Sequence, residues 1–144
     1  MDLCDSHLLV VDDSASMRAS ICELLRDLGF THIDEAADGA AAITLFQRTA
    51  YDVVITDWYM PRANGLMLLR SIRGGAERNQ TPVLMLTGNA TCCRQAEALE
   101  AGATGFIAKP SIAPTLCEKV LRLVAALPPA TPFKSGPDLL RVSA

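Results

Sequence analysis

Asp52-Val53-Val54-Ile55-Thr56-Asp57 is a short apolar, strand-like run that ends on a carboxylate. It has counterparts on both sides. His7-Leu8-Leu9-Val10-Val11 leads into the acidic pair Asp12-Asp13, and Val83-Leu84-Met85-Leu86-Thr87 ends on a hydroxyl. Gly105-Phe106-Ile107-Ala108-Lys109-Pro110 ends on an ammonium followed by a proline. Runs that are apolar on both faces imply a parallel sheet covered by helices on both sides. Right-handed crossovers restrict such a sheet to a few doubly wound orders. Sites then form beyond the carboxyl ends of the strands, where the winding reverses. The polar residues that end these runs are therefore expected at one edge: three carboxylates, a hydroxyl and an ammonium. Such a set suits a divalent cation and a phosphoryl group.

The segments between the runs read as helices, so strand and helix alternate along the chain. Ser14 can cap a helix whose apolar face is Met17, Ile21, Leu24, Leu25 and Leu28, and Gly29 stops it. A more polar strand, Thr31 to Ala36, follows and is expected at an edge of the sheet. Asp38-Gly39 reads as a turn before a helix from Ala40 to Arg48 that packs through Ile43, Leu45 and Phe46. A loop with Pro61 and Gly65 leads to a helix carrying Leu66, Leu69 and Ile72, ended by Gly74-Gly75. Thr81-Pro82 opens the next strand, where proline is tolerated at the first position. Ala90 to Ala101 is a helix stopped by Gly102, and Ala113 to Leu127 a last helix with Leu116, Val120, Leu123, Val124 and Leu127 inward. From Pro128 the prolines break any helix, so residues 128–144 are expected to be a flexible tail on a domain spanning residues 1–127.

Bulk properties narrow the functional classes. A chain of 144 residues, half of them hydrophobic, fits one globular domain. A net charge of −3 without a basic stripe argues against a nucleic-acid binder. No apolar stretch approaches the roughly 18 residues of a membrane span. The first residues lack the pattern of a signal peptide, and a cytoplasmic location is expected. The cysteines, Cys4, Cys22, Cys92, Cys93 and Cys117, are odd in number and contain no CxxC pair. Neither a disulfide framework nor a zinc site follows. Cys22 reads as a small buried hydrophobe, and the adjacent Cys92-Cys93 as free thiols at a helix start. His7 and His32 have no sequence partner at ligand spacing, so neither is expected to hold a metal.

Four segments in this order carry a resemblance: Val10-Val11-Asp12-Asp13-Ser14, Thr56-Asp57-Trp58-Tyr59-Met60-Pro61, Leu86-Thr87-Gly88 and Phe106-Ile107-Ala108-Lys109-Pro110. From about Leu8 to Leu127 the chain resembles the receiver domains of bacterial response regulators, in particular the single-domain, CheY-like chemotaxis type. The resemblance implies an α/β fold with a doubly wound, five-stranded parallel sheet of flavodoxin-like order 2-1-3-4-5. It implies Asp57 as phosphoacceptor, forming a readily hydrolysed acyl phosphate. Mg²⁺ would be bound by Asp13, Asp57 and the backbone carbonyl of Tyr59, with Asp12 acting largely through water. Thr87 and Lys109 would each meet a phosphoryl oxygen, and Phe106 would occupy the switch-aromatic position. Phe106 lacks the hydroxyl of the tyrosine found in many chemotaxis members, so its ring is expected to turn inward more often in the unmodified protein. Tyr59 and Asn89 would control how water reaches the phosphoryl group. Ser111 stands where an aromatic commonly follows Pro110, a departure that bears on local packing.

Each residue also has a plainer reading. Asp57 could cap a loop, Asp12 could flank a helix dipole, Lys109 could be a surface charge, and Phe106 could be core. The resemblance implies a sensor histidine kinase or phosphotransfer protein as donor. The readout would be a target protein on the face of the fourth helix, fifth strand and fifth helix, with no nucleic acid or membrane as partner and with the chain acting as a monomer. It implies no turnover enzyme; the protein would catalyse only its own Mg²⁺-dependent phosphorylation and dephosphorylation. A phosphohydrolase with an Asp nucleophile usually carries an acid two residues on, where this chain has Tyr59. A flavodoxin-like nucleotide binder is disfavoured because no GxGxxG follows the first strand. A phosphorylation-independent scaffold or a phosphotransfer sink remains the alternative.

Overall fold

The computed structural model describes residues 5–58, 64–75, 80–87, 92–108 and 113–126. Strands and helices alternate strictly. The strands are β1 (His7–Val11), β2 (His32–Ala36), β3 (Val53–Asp57), β4 (Val83–Thr87) and β5 (Gly105–Ala108). The helices are α1 (Ala15–Leu28), α2 (Gly39–Arg48), α3 (Gly65–Arg73), α4 (Cys92–Ala101) and α5 (Ala113–Ala126). All strand pairs are parallel, and the sheet order is β2-β1-β3-β4-β5. The chain moves outward from β1 to β2, then returns across β1 to β3. The winding therefore reverses between β1 and β3, where the crevice of an open α/β sheet lies.

Period-two alternation along the central strands sorts the core into two layers. Leu8, Val10, Val53, Ile55, Leu84, Leu86 and Ile107 point to one face, where α1 contributes Ile21, Cys22 and Leu25 and α5 contributes Leu116, Val120 and Val124. Leu9, Val11, Val54 and Met85 point to the other, against Ala42 and Phe46 of α2 and Leu66, Leu68, Leu69 and Ile72 of α3. β2 is the polar edge strand that its composition implied, with His32 and Glu35 exposed.

The helix ends follow local chemistry. The Ser14 hydroxyl accepts the Met17 N–H at 3.3 Å, and Gly29 ends α1 in the left-handed region at φ 118°. Asp38 is an N-cap rather than part of a free turn. Its carboxylate accepts the Ala41 N–H at 2.8 Å, so α2 begins at Gly39, one residue earlier than expected. β3 begins at Val53 rather than Asp52 for a similar reason. Asp52 closes the amino edge of the sheet, donating its N–H to the His7 carbonyl at 2.8 Å and accepting the His7 N–H on Oδ2 at 2.8 Å. Leu68 is fully buried although the sequence reading did not place it in the core, because α3 packs between α2 and α4 and buries a wide arc. The expected starts and ends at Ala90, Leu127, Lys109 and Pro110, and the tail from Pro128, lie outside the described residues. No helix among the described residues is long and apolar enough to cross a membrane.

Candidate functional site

The sheet register builds the site. Val11 pairs with Thr56, so the residues that follow them, Asp12 and Asp57, leave adjacent strands side by side at the carboxyl edge. Asp13 joins them. A ligand oxygen from each of Asp12, Asp13 and Asp57 lies within 4.8 Å of the others. Asp12 and Asp57 are buried, at 1% and 8% relative exposure, whereas Asp13 is open to solvent. The acids therefore form a cluster with two buried members and one exposed.

Main-chain donors aim the two inner carboxylates. Asp12 Oδ1 accepts the Ser14 N–H at 2.9 Å, and Asp57 Oδ1 accepts the Trp58 N–H at 2.9 Å. The Asp12 N–H donates to the Ala36 carbonyl at 3.1 Å, which fixes the turn out of β1 against β2. Arg18 of α1 donates through Nη1 to the Asp12 carbonyl at 2.7 Å and through Nε to Glu35 at 3.2 Å. Its cation thus touches the backbone behind the acids. Thr56 Oγ1 donates to the Asp57 carbonyl at 3.0 Å.

This donor set fits a hard divalent cation. Carboxylates crowded together repel one another, and a bound cation offsets that repulsion. The donors are all oxygens and one side is open to solvent, which matches Mg²⁺, an ion that takes oxygen ligands and keeps several waters. Among the described residues, the cluster holds no softer nitrogen or sulfur ligand.

The sequence reading is borne out for the meeting of Asp12, Asp13 and Asp57. Thr87 is the last residue of β4 and pairs with Ala108, which puts its backbone at the same edge. The Thr87 side chain lies outside the described residues, as do Tyr59, Asn89 and Lys109. Phe106 pairs with Met85 and is half-buried against the core layer shared with α2 and α3.

Two supporting residues were not legible in the sequence. The Gly65 N–H donates to the Trp58 carbonyl at 2.9 Å, and a Cβ on Gly65 would collide with the Asp57 carbonyl oxygen and crowd Met85 Cε at 3.1 Å. A hydrogen at that position is what lets α3 start against the end of β3. Arg18 is the other. Its role needs α1 and β2 folded together, and a lone arginine in a helix does not announce that.

The receiver-domain profile of response regulators matches residues 8–121. Chemotaxis protein CheY-3 of Vibrio cholerae is 42% identical over 120 residues, covering 83% of this chain and 92% of that protein. The structure of V. cholerae chemotaxis protein CheY4 superposes with a TM-score of 0.77 at 34% identity, covering 82% of this chain and 98% of that one. The receiver domain of a Pseudomonas aeruginosa sensor histidine kinase, with a magnesium ion coordinated in its active-site cleft, aligns at a TM-score of 0.76 and 28% identity, covering 84% and 98% of the two chains. The chain belongs to the response regulator receiver domain family, and among its relatives are chemotaxis proteins of the CheY type.

Proposed function

We propose that this protein is a phosphorylation-controlled switch of a two-component system, with Asp57 as the acceptor and chemotaxis as its pathway. The convergence of Asp12, Asp13 and Asp57 within 4.8 Å at the reversal of the sheet carries this reading. A carboxylate oxygen of Asp57 attacks the phosphorus of a phosphohistidine on a kinase or phosphotransfer protein. A P–O bond forms, the P–N bond breaks, and the imidazole takes up a proton as it leaves. Asp13, Asp57 and the Tyr59 carbonyl would hold Mg²⁺, with Asp12 acting largely through water, and the ion would supply positive charge to offset that of the phosphoryl group.

The protein's own groups do the rest. The Trp58 N–H holds one oxygen of Asp57 and so orients the carboxylate. The Ser14 N–H and Arg18 hold Asp12 in place. Thr87 and Lys109 each take a phosphoryl oxygen, with lysine acting as a point charge. As Thr87 is drawn to the phosphoryl group, Phe106 moves inward, and the surface of α4, β5 and α5 changes for a target protein. Residues 1–127 act as the receiver unit and residues 128–144 as its tail. The protein works in the cytoplasm as a monomer and turns over no separate substrate.

Acetyl phosphate labelling tests this. Wild-type protein should gain one phosphoryl group with Mg²⁺ and none after chelation, and Asp57→Asn should gain none. Failure of the wild type to label with Mg²⁺ would leave a phosphorylation-independent scaffold as the better reading.

A further inference from the structure

The amino edge of the sheet, at the other end of the strands from the acidic cluster, gathers a second set of metal-competent side chains. His7 opens β1 and His32 opens β2, and the parallel register pairs them directly. Their rings lie 4.9 Å apart between centroids, tilted by 36°. Nothing in their sequence spacing joins them; the strand register does.

His7 is held firmly. Its N–H donates to Asp52 Oδ2 at 2.8 Å, and the Tyr51 ring packs edge-on against it at 5.8 Å and 89°. Tyr51 is itself fixed, stacked on Phe46 at 6.3 Å and donating its hydroxyl to Asp34 Oδ2 at 2.6 Å. Asp34 lies two residues along β2 from His32, on the same face of the sheet. His32 is exposed and gives the pair access to solvent. Among the described residues, neither imidazole takes part in a hydrogen bond through its ring.

Two readings fit a pair of neighbouring rings. Simple contact between aromatic rings tolerates centroid separations of about 4.5–7 Å. Chelation is more demanding. An ion bound by two imidazole nitrogens at about 2.1 Å sets the centroids about 4.6 Å apart for a right-angled bite and about 5.3 Å for a tetrahedral one. The observed 4.9 Å falls between these limits. Imidazole nitrogens select zinc, copper and nickel over magnesium, and the nearby Asp34 carboxylate adds a field favourable to a cation.

We propose that His7 and His32 form a two-histidine site for a divalent transition ion of the zinc class, completed by water. An ion there clips the edge strand β2 to β1. The site is chemically distinct from the oxygen-lined acidic cluster and stands whether or not Asp57 is phosphorylated.

The test is a titration of the full-length protein with zinc chloride, read by the histidine ring resonances in ¹H–¹⁵N spectra and by the thermal unfolding midpoint. The expected result is that both ring signals shift together, saturating at one ion per chain, while the midpoint rises. His32→Ala should lose both responses and keep its acetyl phosphate labelling. His32→Phe preserves a ring contact and removes the ligand, so it too should lose the zinc response. Asp13→Asn should retain it. Ring signals unmoved by a tenfold excess of zinc would overturn the proposal. So would a response that survives His32→Phe, or one that disappears with Asp13→Asn, since the ion would then be held elsewhere.

Discussion

Asp57, Asp13 and Gly65 act at the scale of single atoms. Asp13 adds a third carboxylate to a cluster whose other two members are buried. Without a cation that arrangement is repulsive, so Asp13→Asn should raise the thermal midpoint in metal-free buffer and abolish the further rise on adding Mg²⁺. Differential scanning calorimetry with and without Mg²⁺ reads both effects; an unchanged Mg²⁺ response would remove Asp13 from the ligand set. Trp58 is buried and donates its N–H to Asp57 Oδ1. Its fluorescence should fall on Mg²⁺ addition, and the same variant should silence that signal. Gly65→Ala forces a methyl group against the Asp57 carbonyl. Overpacking of this kind costs about 1–3 kcal/mol, and the displaced strand end should slow labelling by acetyl phosphate. Denaturant unfolding and the labelling rate should both register the change. The aspartates were legible because each ends an apolar run. Gly65 was not, because the need for its missing side chain appears only when α3 closes on β3.

Between elements, Arg73 links what the chain separates. From the end of α3 it donates through Nε to the Gly102 carbonyl at 2.9 Å and through Nη1 to the Thr81 carbonyl at 2.6 Å. It thereby ties the end of α4 and the entry to β4 to one guanidinium. Gly102 sits at φ 105°, and any Cβ there would meet Arg73 Nε at 2.9 Å, so the glycine serves both the helix stop and the arginine's approach. Arg73→Met keeps most of the stem and removes the donors, leaving two carbonyls without these partners. A destabilisation of about 2–3 kcal/mol follows from losses of roughly 1–1.5 kcal/mol per bond. Urea unfolding measures it, and a loss below about 0.5 kcal/mol would show that water replaces the arginine. Helix periodicity, by contrast, found all five helices, because capping residues and apolar spacing are local signals. It misjudged α2 by one residue where Asp38 turned from loop to cap, and it overlooked Leu68 because the packing of α2 and α4 on either side of α3 is not a local signal.

At the scale of the whole molecule, two neutral groups among the described residues, Tyr51 and Cys22, bear on its response to alkali. Burial pushes the Tyr51 hydroxyl well above its ordinary range, aided by its bond to Asp34. Burial also raises the Cys22 thiol, with Glu35 adding to the effect. Both groups release a proton more easily when unfolded. Their contribution to stability is therefore complete below their unfolded values, about 8.5 for cysteine and 10 for tyrosine, and is lost as pH rises beyond them. The urea midpoint should decline from about pH 9 upward. Tyr51→Phe should lower stability at pH 7 by about 1 kcal/mol through the lost hydrogen bond, yet flatten the decline above pH 10. Parallel curves for the two proteins would show that Tyr51 does not govern the alkaline limb.

The amino-acid sequence alone determined the alternation of strands and helices, the burial of the central strands, the polar edge strand, and the kinds of side chain at each strand's carboxyl end. These are consequences of nearest-neighbour chemistry: apolar runs, caps and breakers act within a few residues. Tertiary structure decided which of those residues meet. Parallel pairing of β1 with β3 set Asp12 beside Asp57, and pairing with β2 set His7 beside His32. Partners joined by a helical crossover are chosen by the packing of both sheet faces together, a free energy that no single segment carries.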